Sequence, residues 1–193
     1  MQSDAELIKV QKKALRRKIL SIRNSLSSDE ICEKSESIET SLFELNIWKK
    51  AEKIFFFYGY STEVKTDFMI LHALSMGKRI FIPRVMSDTE MKFYEINDLN
   101  GLVPDRHGIP EPLASWKSTY EKPDLIIIPG VAFDGERHRM GYGMGYYDRF
   151  LSGLGGVPNA ALAFELQIVE NVPHGALDLP VDMVITEERI IGY

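Results

Sequence analysis

Three glycines alternate with other residues in the segment 129–148, which reads PGVAFDGERHRMGYGMGYYD. Alternating glycines allow the backbone to approach a ligand closely and to direct its N–H groups at an anion. Arg137 and Arg139 precede the glycines, and Asp148 follows them at the start of a predicted helix. These residue types predict a phosphate-binding loop with cations beside it and a carboxylate suited to magnesium.

The glycine spacing differs from the two best-known nucleotide-binding motifs. The dinucleotide fingerprint needs G-x-G-x-x-G, whereas this segment reads G-x-G-x-G and lies late in the chain. A P-loop, G-x-x-x-x-G-K followed by Ser or Thr, occurs nowhere in the sequence. The alternative without a function is a glycine-rich turn, which does not account for the Tyr-Tyr-Asp after the glycines.

A buried strand and a helix flank this loop. The run 124–128 is DLIII, and β-branched residues without polar alternation are typical of a central parallel strand buried on both faces. Ligands of open α/β sheets bind beyond the carboxyl ends of such strands. Predicted helices cover 5–26, 27–44, 66–77 and the residues from 146; predicted strands cover 54–58, 79–82, 91–96, 160–164 and 183–186; an extended surface loop covers 97–123.

This alternation of strands and helices predicts a three-layer α/β/α fold with a mostly parallel, Rossmann-like central sheet. A chain of 193 residues is long enough for one core of ordinary size. No internal repeat or domain boundary is evident, so residues 1–193 are predicted to form a single domain.

The charge and composition of the chain argue against several classes of protein, including general nucleic-acid-binding proteins and membrane proteins. The chain has a net charge of −5, yet residues 1–24 hold seven basic and two acidic side chains. An acidic protein with one basic helix is not typical of general nucleic-acid binding; the basic cluster suits a small anionic ligand or a solvated helix face. The sequence has no apolar run like that of a signal peptide or a membrane span. Its one cysteine indicates a reducing compartment, so a cytoplasmic protein is expected.

The loop segment resembles the signature of the 5-formyltetrahydrofolate cyclo-ligase family, also called the 5,10-methenyltetrahydrofolate synthetases. That signature runs from Pro-Gly through Ala-Phe-Asp and an Arg to alternating glycines and Tyr-Tyr-Asp. The resemblance covers nearly the whole chain, because shorter family-like pieces occur in the expected order: KKALR at 12–16, EVKT at 63–66, IPR at 82–84, GIPEP at 108–112, ALAF at 161–164 and VDMVIT at 181–186.

The resemblance implies an enzyme that uses ATP and Mg²⁺ to convert 5-formyltetrahydrofolate into 5,10-methenyltetrahydrofolate, with release of ADP and phosphate. ATP is needed because the formyl oxygen is a poor leaving group until a phosphoryl group is transferred onto it. The second folate nitrogen then attacks the carbon of this imidate phosphate, the ring closes and phosphate leaves. The implied partner is a small-molecule substrate, with no nucleic acid or membrane, and the protein is expected to be a monomer.

The resemblance also implies residue roles, position by position. Arg139 and Tyr147 match catalytic positions, Asp148 and Asp182 match magnesium-associated carboxylates, and Glu63 matches a residue that holds the pterin. The expected nucleotide-binding residues are Lys12, Lys13, Ala14, Leu15, Arg16, Arg139, Met140, Gly141, Tyr142, Gly143, Met144, Gly145, Tyr146 and Tyr147. The expected substrate-binding residues are Tyr58, Glu63, Tyr142, Gly143, Met144, Gly145 and Tyr146.

The sequence departs from the commoner family pattern at three positions near the glycines. Tyr142 stands where Arg is frequent, Met144 where Gly or Lys is frequent, and Arg137 where Gly is usual. The loop therefore lacks a cation that relatives often have. Arg137 or Arg139 is expected to compensate for it.

Alternative interpretations remain for several of these residues. Glu63 and Thr66 also fit ordinary helix-start chemistry, and Asp182 fits the start of a strand. The loop is also compatible with a non-catalytic α/β sensor of a phosphorylated sugar or nucleotide, and with another ATP-dependent ligase or kinase.

Overall fold

The computed structural model describes residues 4–119, 121–175 and 178–192. The α-helices are α1 (Asp4–Arg23), α2 (Ser28–Glu44), α3 (Asn46–Lys50), α4 (Asp67–Ser75) and α5 (Tyr146–Leu154). The strands are β1 (Lys53–Phe56), β2 (Arg79–Val85), β3 (Met91–Ile96), β4 (Val103–Pro104), β5 (Pro110–Glu111), β6 (Ser118–Thr119), β7 (Leu125–Ile128), β8 (Ala132–Asp134), β9 (Arg139–Met140), β10 (Asn159–Leu162), β11 (Ile168–Val169), β12 (Met183–Ile185) and β13 (Ile190–Ile191). Within the described residues, no helix is both long and apolar enough to cross a lipid bilayer.

An eight-stranded sheet forms the centre of the molecule, in the order β13-β12-β10-β7-β1-β2-β3-β6. The strands from β12 to β2 pair in parallel, whereas the pairs at the two edges are antiparallel. All four residues of β7 are buried, as expected for a central parallel strand. The predicted mostly parallel central sheet is therefore confirmed.

Helices cover both faces of this sheet. Successive strand residues point to opposite faces, so neighbouring residues of β1 belong to two different cores. Ile54 and Phe56 of β1 belong to the core that α2, α3 and α4 complete. Phe55 belongs to the core on the other face, where its ring lies 6.0 Å from that of Phe150 in α5. This arrangement is the predicted three-layer α/β/α fold.

A smaller sheet, in the order β11-β8-β9, packs against α1. Ile19 of α1 is buried with Val131, Ala132, Met140 and Val172 in a separate apolar cluster. This contact fixes the basic helix beside the segment 129–148. The small sheet was not predicted, because strands of two or three residues are too short to show a periodic pattern.

The structure also differs from the predicted elements at β2 and in the segment 97–123. β2 continues through Pro83 to Val85, although the sequence predicted an end at 82. β1 pairs with β2 only as far as Phe81, so the missing N–H of Pro83 can face the side without a neighbouring strand. The segment 97–123 is not simply an extended loop, because it contains the β4–β5 ribbon and the edge strand β6.

Candidate active site

A cavity of about 900 Å³ lies at the carboxyl ends of the central strands. Phe57 and Tyr58, just after β1, and Pro129, just after β7, form part of its wall. Residues 141–145, which we call the glycine loop, together with α1 and the β4–β5 ribbon, supply other walls. The cavity thus opens where ligands of parallel α/β sheets bind and is large enough for a small organic molecule.

The conformation of the glycine loop depends on positive φ angles. Gly143 and Gly145 have φ values of 107° and 67°, which residues with a Cβ rarely adopt. Gly145 is also the N-cap of α5, and no side chain caps that end of the helix. The first N–H groups of α5 therefore remain available to an anion, together with those of the loop.

Arg16 of α1 lies against the glycine loop. Its Nε donates to the Gly141 carbonyl at 3.0 Å, and a Cβ at Gly143 would lie 3.5 Å from its Nη2. Burial lowers the pKa of Arg16, but an arginine has so high a starting value that it remains cationic. The helix therefore places a cation beside the N–H groups of the loop.

Only part of the predicted N-terminal nucleotide motif reaches the cavity. Lys12 and Arg16 line it, whereas Lys13 and Ala14 are exposed elsewhere and Leu15 packs in the α1 apolar cluster. This division follows from the helical period, because residues four apart share a face and those between them do not.

Lys12 forms an ion pair with Asp178 in this cavity. Its Nζ lies 2.6 Å from both Asp178 carboxylate oxygens. Burial by itself would raise the pKa of Asp178, but the Lys12 ammonium and the Gly175 N–H together hold that pKa below its usual range. Asp178 was not predicted from the sequence, because no local motif marks a partner 166 residues from Lys12.

Arg139 and Asp148 form a second ion pair at the cavity. Arg139 Nη2 donates to Asp148 Oδ1 at 2.7 Å, and its Nη1 donates to the Pro129 carbonyl at 3.3 Å. The Arg139 side chain is 3% exposed, whereas that of Asp148 is 27% exposed. The second Asp148 oxygen has no protein partner among the described residues. A carboxylate in this state fits a Mg²⁺ ion that takes its remaining ligands from phosphates and water.

Asp182, the second carboxylate predicted to bind magnesium, lies elsewhere. It precedes β12 and lines a separate cavity of about 560 Å³ at the amino ends of β10 and β12. Its Oδ2 accepts the main-chain and side-chain N–H groups of Asn159 at 2.9 and 2.8 Å. The structure therefore does not bring Asp182 together with Asp148. The described residues also contain no cluster of three or more metal-ligating side chains.

Tyr147 contributes a phenol to the cavity wall. Burial raises its pKa well above the usual value; the charge of Glu63 acts in the same direction and Arg139 opposes it. The ring centroid lies 5.8 Å from the Arg139 guanidinium. The phenol is therefore protonated at neutral pH and can donate a hydrogen bond to a ligand oxygen.

Glu63 lies at the centre of a hydrogen-bond network that reaches the glycine loop through Tyr142. Tyr142 donates its hydroxyl proton to Glu63 Oε1 at 2.5 Å, and the Tyr60 N–H donates to Oε2 at 3.0 Å. Arg23 Nη2 in turn donates to the Tyr142 oxygen at 2.8 Å. Burial, with the Glu63 charge next in importance, raises the pKa of Tyr142.

A buried threonine shapes the turn that follows β1. Thr66 Oγ1 donates to the Phe57 carbonyl at 3.0 Å and accepts the Gly59 N–H at 2.7 Å. A Cβ at Gly59 would overlap the Val64 carbonyl, so only glycine fits there. Thr66 makes no side-chain capping bond to α4, because its hydroxyl is used in this turn. The turn holds Tyr58 in the cavity wall.

The β4–β5 ribbon forms part of the cavity, which was not predicted from the sequence. Glu111 is 6% exposed, and it accepts the Val85 N–H at 3.0 Å and lies 3.6 Å from Arg84. Burial raises the pKa of this carboxyl group. The GIPEP piece at 108–112 was the available signal, since Gly and Pro flank a single acidic residue. The ribbon residues at the cavity are Asp105, Arg106, His107, Ile109, Pro110 and Glu111.

The β2–β3 connection is tied to the start of α5. Arg149 donates to the carbonyl oxygens of Met144, Thr89 and Asp88 at 2.8, 3.0 and 3.4 Å. Tyr146 donates its hydroxyl to the Ser87 carbonyl at 3.0 Å. These bonds fix the end of the glycine loop against a neighbouring hairpin.

Arg137, expected as a compensating cation, does not line the cavity. It has a φ of 69°, in the left-handed region that glycine adopts most readily. Its side chain packs against Gly192, and its buried Nε has no hydrogen-bond partner among the described residues. The cations that do contact the glycine loop include Arg16 and Arg23, both from α1.

The fold and the cavity together define a class: an α/β protein with a ligand-sized cavity and a glycine loop at the carboxyl edge of a mostly parallel sheet. Comparison with known proteins identifies the family. The sequence profile of the 5-formyltetrahydrofolate cyclo-ligase family matches residues 8–187. This chain belongs to the 5-formyltetrahydrofolate cyclo-ligase family.

Individual relatives match over most of their length. A probable 5-formyltetrahydrofolate cyclo-ligase of Caenorhabditis elegans is 32% identical, covering 96% of this chain and 97% of the relative. The 5-formyltetrahydrofolate cyclo-ligase of Escherichia coli K12 is 25% identical, covering 87% and 96%. The solution structure of 5,10-methenyltetrahydrofolate synthetase from Aquifex aeolicus has a TM-score of 0.82 at 32% identity, covering 93% and 91%.

Proposed function

We propose that this protein catalyses the ATP- and Mg²⁺-dependent cyclisation of 5-formyltetrahydrofolate to 5,10-methenyltetrahydrofolate, with release of ADP and phosphate. Membership of the family supports the overall reaction. The main structural support for the proposal is that the glycine loop, the Arg139–Asp148 pair and the Glu63 carboxylate line the same cavity. An anion site and a carboxylate site in one cavity suit a phosphate-bearing nucleotide beside an amino-pyrimidine ring.

In this proposal the triphosphate of ATP binds the glycine loop. The N–H groups of the loop and of the first turn of α5 contact phosphate oxygens, and Arg16 and Lys12 add positive charge. Lys12 exchanges Asp178 for phosphate when the nucleotide binds. Magnesium held by Asp148 would offset the charge on the phosphoryl oxygens.

Cyclisation takes place in two steps at the formyl group. The bond from the γ-phosphorus to ADP breaks as the formyl oxygen bonds to that phosphorus, which gives the imidate phosphate. The second folate nitrogen then attacks the formyl carbon, loses its proton, and phosphate leaves with the former formyl oxygen. Arg139 and Tyr147 are the proposed catalytic residues, because a buried guanidinium and a protonated phenol can stabilise oxygens that gain charge.

The test is turnover with all three reactants present. Protein mixed with 5-formyltetrahydrofolate, ATP and Mg²⁺ should generate the near-UV absorbance of the methenyl product and release one phosphate per product. Omitting ATP or Mg²⁺ should abolish both signals. Ligand binding without product would favour the sensor alternative, and phosphate release only with another acceptor would favour a different ligase or kinase.

We further propose a cytoplasmic monomer that acts on a small molecule without nucleic acid. The net charge of −5 supports the part of this proposal that excludes nucleic acid. Light scattering across a range of protein concentrations tests the monomer; a mass of twice 22.0 kDa would contradict it.

A further inference from the structure

Arg23, at the end of α1, is a buried cation without an acidic side chain in direct contact. It is 4% exposed, and its described side-chain hydrogen bonds go to Thr62 Oγ1 at 3.3 Å and to the Tyr142 oxygen at 2.8 Å. A buried charge costs free energy unless an opposite charge lies close by. In this network the opposite charge is Glu63, which lies on the other side of the Tyr142 hydroxyl.

The chemistry of the three groups fixes the direction of both hydrogen bonds. A guanidinium has donors only, so Tyr142 must accept from Arg23. The single proton of the Tyr142 hydroxyl is then free to go only to Glu63 Oε1, which is 2.5 Å away. Glu63 therefore serves as an ionised acceptor, and the guanidinium charge acts on it through one hydroxyl.

The two oxygens of Glu63 keep capacity for a ligand. Tyr142 occupies one acceptor position on Oε1, and the Tyr60 N–H occupies one on Oε2. A carboxylate accepts about four hydrogen bonds, so each oxygen has one further lone pair. Glu63 lines the cavity. Two parallel acceptors match the adjacent N–H donors on the amino-pyrimidine edge of a folate.

We propose that Arg23 and Tyr142 form a relay that orients the Glu63 carboxylate for the amino-pyrimidine edge of the folate. This inference rests on the proposed function. Arg23 does not line the cavity, so it is a positioning residue that acts through Tyr142. Tyr142 is a position at which this sequence departs from the commoner loop pattern, so the relay distinguishes this chain from relatives that have arginine there.

The test compares Arg23→Met, Tyr142→Phe and the double variant with the parent protein. Each single change should raise KM for 5-formyltetrahydrofolate about tenfold, while kcat and KM for ATP change less than twofold. The double variant should be no worse than either single variant, because both changes break the same relay. Arg23→Lys should recover most of the loss, since an ammonium can still donate to the hydroxyl.

Arg17→Met is the matched control, because Arg17 is an exposed arginine on the same helix. It should leave all three kinetic constants within twofold of the parent. A folate analogue without the 2-amino group adds a readout that loss of stability cannot imitate. The parent should bind this analogue about tenfold more weakly than the natural folate, whereas Tyr142→Phe should bind the two with similar affinity.

The possible outcomes separate the two proposals. If the parent cyclises the folate but the single variants keep normal KM, or their losses multiply in the double variant, the relay is overturned and the proposed function stands. If the parent neither binds nor cyclises the folate, both are overturned. Tyr142→Phe retains the aromatic ring at a half-exposed position, so its analogue measurement decides the question even if Arg23→Met does not fold.

Discussion

The two edges of the central sheet hold carboxylates with different surroundings. At the carboxyl edge, Asp148 accepts one hydrogen bond from Arg139 and keeps an oxygen without a protein partner. At the amino edge, Asp182 accepts both hydrogen bonds from Asn159 on Oδ2, and its Oδ1 likewise has no protein partner among the described residues. Both matched magnesium-associated positions of the family, and Asp148 was also predicted from its place after the glycines. The contrast teaches that an oxygen without a protein partner is not enough to predict a magnesium site, because only Asp148 lines the cavity that contains the glycine loop.

The orientation of α5 adds to this contrast. Its uncapped amino end meets the 900 Å³ cavity, whereas Leu151 and Leu154, toward its carboxyl end, line the 560 Å³ cavity. The positive end of the helix dipole therefore faces the first cavity and the negative end lies near the second. A phosphate group is favoured at the carboxyl edge and disfavoured at the amino edge.

Asp148→Asn should have the largest effect on activity. We expect turnover to fall about 100-fold or more, because the amide loses the charge that would hold Mg²⁺. The free energy of unfolding should fall by about 1–3 kcal/mol, because the buried Arg139 guanidinium loses its opposite charge although an amide oxygen can still accept from it. Steady-state turnover and urea unfolding measure the two quantities.

A magnesium titration provides the control for this variant. The remaining activity of Asp148→Asn should need a higher Mg²⁺ concentration than the parent does. Turnover close to the parent value would remove Asp148 from the site and the contrast between the edges with it.

Asp182→Ala should lower stability without lowering turnover. The change leaves the Asn159 main-chain N–H without its acceptor, so the free energy of unfolding should fall by about 1–3 kcal/mol. Turnover and its Mg²⁺ dependence should stay within about twofold, measured well below the melting temperature. A loss of Mg²⁺-dependent turnover like that of Asp148→Asn would mean that both edges contribute to the metal site.

The central sheet could be predicted because the sequence patterns that indicate its strands are local. The run 124–128 is apolar throughout, and β7 is indeed buried at the centre. The end predicted for β2 was wrong because proline breaks a strand only where its N–H is needed, and β1 has already ended there. The ribbon in 97–123 escaped prediction because its strands have two residues each.

The site could be predicted only in part, for a related reason. The glycine loop is continuous in sequence, and all its residues line the cavity. The partners that orient its charges come from distant segments: Arg23 contacts a tyrosine 119 residues away. Such pairs follow from the packing of α1 on the small sheet, which no local pattern encodes.

Arg149→Met should have a moderate effect on the carboxyl edge. Removing its bonds to three carbonyl oxygens loosens the glycine loop, so KM for ATP should rise about three- to tenfold with a smaller change in kcat. Lys122→Met is the matched control at the other end of α5, where Lys122 donates to the Gly155 carbonyl at 2.9 Å. An equal rise in both variants would show that α5 as a whole, and not one edge, sets nucleotide affinity.

The smallest effect is expected in the acid stability of the Lys12–Asp178 pair. The pKa of Asp178 is lower in the folded protein than in the unfolded chain, where it is about 3.9. The ionised carboxylate therefore stabilises the protein fully at pH values above about 3.9, and this stabilisation is lost as the pH falls through the lower, folded pKa.

Asp178→Asn should therefore lower the free energy of unfolding by less than about 1 kcal/mol at pH 6, because the pair is partly exposed. The difference from the parent should shrink as the pH falls below about 4. Urea unfolding from pH 6 to pH 2.5 measures it. A difference that stays constant with pH would mean that Lys12 is not held by Asp178, and that the carboxyl edge presents this cation to phosphate without first having to release it.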